Sequence, residues 1–405
     1  MRMMTPARTA FALLTAGALA ITMSGCGSDI DGSPVRAQTD LSTLDVGNFQ
    51  TVPEHLGNAE NERRARIRES QRLGDHVALP FEADPSYTQD AWSLLPHVVL
   101  DQDALGSLVI NDTFDEVAED LVAGWVNAWS TEADQDGKSR TMNIAVLMFP
   151  DAATAAEVGP VLEYDDFTYN PGNEPVTIAK YPVSKAHWRP TVSSIGSWTV
   201  HDRYVVFVKV DDQLSAPDLP ALTSQVEKIL EVQLPLLDEF EPTPAEQLRR
   251  IPLDPEGLLG RTLPTDPSAP IRADSDGLYT GRAILSLLQA EPGDLDMLRE
   301  HDIDLVSFGD AVVFRSKNAE SAAALWQRWR PSTDPTPEQR IVEPPSGLGE
   351  NVECYADLQI SEGNERILGQ LCVLQVDRYV VQAYARQLQE LHQKISAQYA
   401  LLTAQ

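Results

Sequence analysis

Five residues occur twice in this chain, and that recurrence limits the possible folds more than any other feature of the sequence. Asp202-Arg203-Tyr204-Val205-Val206 returns as Asp377-Arg378-Tyr379-Val380-Val381. Each copy follows a β-like run and precedes a long stretch with apolar residues at three- and four-residue steps. Asp is a turn residue and a Tyr-Val-Val run suits a pleated, packed strand, so each copy reads as a turn entering a core strand. Upstream, Ala145-Val146-Leu147-Met148-Phe149 before an Ala-rich stretch is echoed by Ala311-Val312-Val313-Phe314 before another. Self-similarity over a whole unit is the mark of duplication. The expected fold is α+β, with two similar tandem units, each an antiparallel sheet with helices packed on one face.

Hydrophobic periodicity predicts strands over 142–149, 177–181, 194–200 and 204–210. It predicts helices over 151–162 and 219–237, the second interrupted near Pro235. Phe114, Val117, Leu121, Trp125 and Trp129 recur at helical steps, so 112–129 reads as one amphipathic helix. In the second half the same reading yields a helix at 294–301, a hairpin at 305–315 and a helix at 319–329. A strand at 379–385 follows, then a closing helix with Leu388, Leu391, Ile395, Tyr399 and Leu402 on one face. The expected organisation is a leader over 1–25, a lipidated Cys and flexible tether over 26–57, and a first α+β domain over 58–240 that opens with an Arg-rich helix. A Pro-rich linker over 241–270 and a second α+β domain over 271–405 complete it.

The N-terminus carries Arg2 and Arg8, an apolar stretch from Phe11 to Ile21, and then Ser24-Gly25-Cys26. That stretch is shorter than the about 20 residues needed to cross a bilayer, and it fits the core of a secretory signal. Met23-Ser24-Gly25-Cys26 resembles a bacterial lipobox. The resemblance implies cleavage before Cys26 and a diacylglycerol on its thiol, placing the body on the extracytoplasmic face of the cell membrane. The alternative is an ordinary signal peptide whose cleavage site happens to hold a Cys. The membrane, through that lipid, is therefore an expected partner. Nucleic acid is not, because 61 acidic residues against 31 basic ones leave a net charge of −30 that repels polyanions.

With Cys26 assigned to lipid, Cys354 and Cys372 form an even pair in an oxidising compartment. Their midpoint is Gly363, inside the turn-like Ser361-Glu362-Gly363-Asn364-Glu365, with strand-like runs on both sides. A hairpin centred there sets the two cysteines opposite each other and within disulfide reach. Two buried free thiols are the alternative.

No Gly-x-Ser-x-Gly, Ser-x-x-Lys, His-Glu-x-x-His, Cys-x-x-Cys, Walker or Gly-x-Gly-x-x-Gly motif is present. The seven histidines, at 55, 76, 97, 187, 201, 301 and 392, show no metal-ligand spacing. No catalytic residue, metal site or cofactor is expected. The Asp-x-Asp-Gly segments at 134–137 and 274–277 read as turns, because neither places acids at the ends of a calcium loop. Arg63, Arg64, Arg66, Arg68 and Arg72 form a basic helix, read as solvated or docked on the protein's own acidic surface, or as a contact for anionic lipid or envelope polymer. Trp188 and Trp198 are candidate contributors to a ligand pocket, with core packing the plainer role.

The anchor Cys26, Leu44-Asp45-Val46-Gly47-Asn48-Phe49, the Arg-rich helix leading to Asp84-Pro85, Gly277-Leu278-Tyr279, Gly281-Arg282-Ala283, Asp302-Ile303-Asp304 and the late Cys pair together resemble a family of actinobacterial lipoproteins of uncharacterised function. The resemblance covers nearly all of the chain after Cys26 and supplies no catalytic residues. The expected role is non-catalytic binding of an envelope ligand or partner. A hydrolase with a fold-assembled site and a structural or assembly protein of the envelope are the alternatives.

Overall fold

The computed structural model describes residues 39–404, apart from 92, 93, 107, 109–112, 270, 332–334 and 362. The first half carries α1 (Glu62–Gly74), α2 (Pro80–Ala83), β1 (Tyr87–Asp90), β2 (His97–Val98), α3 (Gln102–Leu105), α4 (Phe114–Val117), β3 (Ala123–Thr131) and β4 (Arg140–Met148). It continues through α5 (Ala152–Tyr169), β5 (Glu174–Thr177), β6 (Lys185–Arg189), β7 (Val192–His201), β8 (Tyr204–Asp212) and α6 (Leu219–Asp238). The second half carries β9 (Gly277–Tyr279), α7 (Arg282–Leu287), α8 (Asp294–Glu300), β10 (Ile303–Phe308), β11 (Ala311–Ser316) and α9 (Ala319–Trp329). It closes with β12 (Gln339–Val342), β13 (Val352–Ser361), β14 (Asn364–Val376), β15 (Tyr379–Ala385) and α10 (Leu388–Thr403).

Two antiparallel sheets result. Their strand orders contain β3-β4-β8-β7-β6-β5 in one and β10-β11-β15-β14-β13-β12 in the other. Strand for strand these are one topology. The helices α5 and α9 leave the second strand of each run, and α6 and α10 leave the third. The repeated pentapeptide does the same work in both units. Asp202 and Asp377 have φ of 49° and 50°, a left-handed turn geometry that Asp tolerates. The turns join His201 to its cross-strand partner Tyr204, and Val376 to Tyr379. Met148 faces Tyr204 while Arg315 faces Tyr379. Leu147 therefore matches Phe314, and the Ala145/Ala311 echo seen in the sequence is one residue out of structural register.

The α+β class and the tandem units stand, but the helices divide between the two faces of each sheet. α6 sets Leu222, Val226, Ile229 and Leu230 in one apolar cluster with Val206, Val208 and Val210, while α5 sets Ala155, Val158 and Leu162 in another with Val205 and Phe207. In the second unit α10 packs Leu391 and Ile395 with Val313 and Val381, and α9 packs Leu325, Trp326 and Trp329 with Phe314, Val373 and Val380. Successive side chains point to opposite faces, so a Tyr-Val-Val run is apolar on both and needs cover on both.

The helix expected over 112–129 is not formed. Only Phe114–Val117 is helical, and Ala123–Thr131 is a strand with every residue buried. Trp125 and Trp129 are four apart, a spacing that suits one helix face and equally one strand face. A strand buried on both sides shows no polar alternation to separate the two readings. α6 runs unbroken through Pro235 and keeps Leu237 buried beyond it, and α5 continues past Pro160 to Tyr169. The strand expected at 177–181 ends at Thr177.

Cys354 and Cys372 are cross-strand partners in the β13–β14 hairpin, as expected, with Cα atoms 4.1 Å apart and the sulfurs bonded. The hairpin is not centred on Gly363, however: Ser361 pairs with Asn364, and a register shift between Asp357 and Leu358 sets 354 opposite 372.

A single apolar cluster runs from α1 and the first sheet through α7 and α8 to Phe314, Trp326 and Val373 of the second. The described parts of the expected tether and linker are packed as well. Leu44 joins the second unit's core and Val46 and Phe49 pack against Leu263, Ala397 and Leu401. Glu54 N–H donates to the Gly260 carbonyl at 2.9 Å. A Cβ on Gly260 would lie 1.9 Å from the Glu54 carbonyl oxygen, so only glycine permits that approach. Ile251, in the Pro-rich stretch, is buried with Ala59 and Ala65. Apolar residues spaced without a period gave no helix or strand signal, yet they suffice to dock irregular chain on a core.

The Arg-rich helix α1 is the wedge between units. Arg63 pairs with Asp274 at 2.8 Å, Arg68 donates to the Leu278 carbonyl, and Gln71 donates to the carbonyls of Asp274 and Asp276. On the opposite flank Arg72 bonds Glu69, Thr243 and the Glu241 carbonyl. The i,i+4 pairs that the sequence offers, Glu60 with Arg64 and Glu62 with Arg66, are not the ones used. Beyond the helix Asp75 accepts from the backbone of Thr280, Gly281 and Ala283, and Glu82 takes a two-pronged contact from Arg282.

Candidate functional site: a groove in the first unit

The face of the first sheet that α5 covers is apolar at one end and polar at the other. Under α5 lie Val205, Phe207 and Trp198. Further along the same strands come Lys209 and Asp211 of β8, Ser194 and Gly196 of β7, His187 of β6 and Asn143 of β4. These line two adjoining grooves of about 610 and 210 Å³ that share Leu108, Val192, Lys209 and Asp211. Tyr169, Asn170, Asn173 and Arg189 complete the smaller groove, and Thr141, Ser193, Gln213 and Ser215 the larger.

The residue that gives this site its chemistry comes from the helix. α5 has 18 residues and its counterpart α9 has 11. The extra turns carry Asp166 over the sheet. The Trp198 indole N–H donates to Asp166 Oδ2 at 2.9 Å, and His187 Nε2 lies 3.7 Å from the same oxygen. His187 is 8 % exposed, its Nδ1 has no hydrogen-bond partner, and the Phe167 ring meets its edge at 5.8 Å. A Cβ on Gly196 would come within 3.3 Å of the imidazole, so the absent side chain makes the seat for the ring. A buried polar atom without a partner is uncommon and calls for a water, ion or ligand group.

The second unit lacks this arrangement at the same positions. By strand register, His187–Gly196–Lys209 corresponds to Tyr355–Leu371–Tyr384. The duplicated scaffold is thus retained while the polar groove belongs to one copy.

Burial pushes the Asp166 carboxyl above the usual carboxylate range, outweighing the pull of the Trp198 hydrogen bond and of His187. Burial likewise pushes His187 below 6.5, with Lys209 adding to the shift and Asp166 opposing it. Lys209 and Asp211 also face the pair, 3.8 Å from each other. The signs differ. For His187 the folded state resists protonation, so its stabilisation is complete above pH 6.5 and is lost as pH falls from there through the folded value. For Asp166 the folded state holds its proton, so stabilisation present below pH 3.8 is lost as pH rises through the folded value. His187→Gln should therefore flatten the loss of stability below pH 6.5, read from denaturation midpoints across pH 4 to 8. An unchanged slope rejects the role of burial at this imidazole.

Cys26 lies outside the described residues. Trp198 is buried against Phe207 and positions Asp166, while Trp188 packs on the main core and borders the groove. Of the other histidines, His76, His97 and His392 bond backbone carbonyls and His201 bonds Asp238. Asp134 accepts from the backbone of Asp136 and Lys138, closing a turn, and Asp274 holds Arg63. Among the described residues no three His, Cys, Asp or Glu converge as metal ligands, and no helix is long and apolar enough to cross a membrane. The groove acids and His187 have no motif to announce them. The available signal was an Ala-rich helix whose polar continuation past Leu162 had no apolar reason to stop there.

The sequence matches the N-terminal domain of unknown function DUF7373 over residues 56–253 and the C-terminal domain of the same name over 258–405. No curated protein matches it. Among solved structures it is similar to the extracellular domain of PknH from Mycobacterium tuberculosis, with 12 % identity and a TM-score of 0.28, covering 42 % of this chain and 97 % of that one. That likeness is too slight to carry an argument.

Proposed function

The chain belongs to the DUF7373 family, whose two domains together span most of it, and from that premise we propose a lipid-anchored extracytoplasmic protein that binds a small polar ligand in the groove of its first unit. The observation that carries the binding reading is the groove itself. One copy of a duplicated unit has a longer helix, and that helix brings Asp166 beside a buried, under-bonded imidazole. Paired groups pushed from their usual ionisation in a cleft are where binding or proton-handling chemistry concentrates. The mixture of Asn143, Asn170, Asn173, Ser194, Lys209 and Asp211 offers donors and acceptors rather than one sign of charge, which suits a ligand rich in hydroxyl or amide groups. The anchor rests on the charged, apolar and Ser-Gly-Cys order of the first 26 residues, and a buried cystine is consistent with an oxidising compartment. The lipobox order and the actinobacterial resemblance point to the same setting.

The test uses full-length protein purified from its native envelope in mild detergent and examined by native mass spectrometry. A small adduct should be retained by the wild type and lost from His187→Ala and Asp166→Asn. An adduct retained by both variants, or none in any preparation combined with no ligand response of their tryptophan fluorescence, overturns the groove reading. The anchor is tested separately. Cys26→Ala should move the protein wholly from the detergent phase to the aqueous phase, because two or three acyl chains contribute about 0.8 kcal/mol per buried CH₂. Unchanged partitioning rejects lipidation at that residue.

A further inference from the structure

The seam between the two units contains guanidinium groups with no partner for several of their N–H bonds. Arg68 and Arg272 line a cavity of about 60 Å³ together with Arg64, Ile67, Leu259 and Ile271. That is the space of about two waters, and so of one carboxylate or phosphate group. Arg68 Nε, Arg272 Nε and Arg272 Nη1 are buried and make no hydrogen bond. The Arg64 side chain has no hydrogen-bond or ion-pair partner among the described residues.

Asp274 and Asp276 line the same cavity, but their closest hydrogen bonds go to other groups. Asp274 takes both prongs of Arg63. Asp276 accepts from the backbone and hydroxyl of Thr265, and reaches Arg272 only at 3.8 Å. Glu54 stands 3.7 Å from Arg272 and is half exposed. Arg63, Arg64, Arg68 and Arg272 thus stand among the carboxylates of Glu54, Asp254, Asp274 and Asp276, with Asp75 and Glu69 also near Arg68. Yet none of these acids hydrogen-bonds Arg68 Nε, Arg272 Nε or Arg272 Nη1. Burial also depresses the guanidiniums of Arg68 and Arg272 from their usual value, a loss that an added anion reverses. Each unmade bond of a buried charged donor is costly, and oxyanions satisfy several at once.

We propose that this seam is an oxyanion site, holding the phosphate or carboxylate group of a ligand between Arg64, Arg68 and Arg272 and so bridging the first unit's α1 to the second unit's 271–276 segment. The apolar neighbours Ile67, Leu259 and Ile271 allow the oxyanion to carry an aliphatic portion. This site is separate from the groove beside His187.

Full-length protein in detergent micelles is titrated at constant ionic strength with inorganic phosphate, glycerol 3-phosphate and octanoate, each followed by calorimetry and by thermal midpoint, with chloride as the reference salt. At least one should bind saturably and raise the midpoint. Arg68→Lys should weaken that binding about tenfold by losing the planar fork. Arg64→Gln, which removes no side-chain hydrogen bond or ion pair among the described residues, should weaken it with little change in the apo midpoint. Equal affinity for the two phosphates identifies free phosphate as the occupant. Tighter glycerol 3-phosphate identifies a lipid headgroup, and tighter octanoate a fatty carboxylate. Saturable binding by none of the three, or affinities unaltered in both variants, overturns the proposal.

Discussion

Glu69→Ala should destabilise the protein by about 3 kcal/mol, the low end of the range for breaking a buried ion pair. Glu69 is fully buried in α1, where its carboxylate receives Arg72 at 2.6 Å together with the backbone N–H and hydroxyl of Thr243. Removing it strands the Thr243 N–H and takes from Arg72 its paired carboxylate, leaving the guanidinium hydrogen-bonded only to Thr243 Oγ1 and the Glu241 carbonyl. Arg72 is a third exposed, so water recovers part of its loss, and this places the effect at the lower end. Glu69→Gln keeps an acceptor for Thr243 and should cost about half as much. Urea midpoints of both variants measure it. A Glu69→Ala midpoint within experimental error of the wild type would show that α1 does not fasten the 241–250 segment.

Removing the late disulfide should produce an effect of similar size. Cys354 and Cys372 are 18 residues apart, and closing a loop of that length restricts the unfolded chain by about 3 kcal/mol. Both sulfurs' residues are fully buried between Leu374, Val381 and Leu391. The Cys354→Ala/Cys372→Ala double variant should therefore lower the urea midpoint, and wild-type protein unfolded with reductant should shift by a comparable amount. Ready alkylation of both thiols in native, unreduced protein would reject the bridge, and a reductant-insensitive midpoint would reject its contribution.

The two effects differ in how far they could be foreseen. The disulfide was legible because a hairpin's register is a local matter. Two strand-like runs flanking a turn near Gly363 bring 354 and 372 close together, and a one-residue register shift between Asp357 and Leu358, which the spacing does not announce, sets them directly opposite. The same local logic found the closing helix, the Ala319–Trp329 helix and the two Asp-Arg turns. The role of Glu69 was not legible, since its partner Thr243 lies 174 residues away and nothing in the intervening sequence records the distance. The Arg-rich helix could be read as solvated or as docked on the protein's own acidic surface, and the sequence could not choose between them because its neighbours in space, Asp274 and the carbonyl of Leu278, are contributed by the other unit. The misread strand at 123–131 has a different cause. Burial on both faces removes the polar alternation by which a strand is recognised, and Trp125 and Trp129 satisfy either period.

The groove shows the same division within one site. Lys209 and Asp211 lie on a strand that periodicity located, and Asn143 on another. Whether those strands adjoin, which face a helix covers and how far it extends were decided by packing. Asp166 and His187 are 21 positions apart and become neighbours only because α5 folds back across β6 and β7.

By itself the amino-acid sequence determined the turns, most of the strands and helices, the doubled unit and the pairing of the late cysteines, all of which follow from contacts between residues near in the chain or from a repeated pattern. Tertiary structure alone decided that each sheet is covered on both faces, that α1 and the irregular segments at 39–57 and 241–269 are packed between or against the units, and that one copy holds an acid beside an under-bonded imidazole. Those outcomes depend on which surfaces come to exclude water together, and that is a property of the assembled chain rather than of any stretch of it.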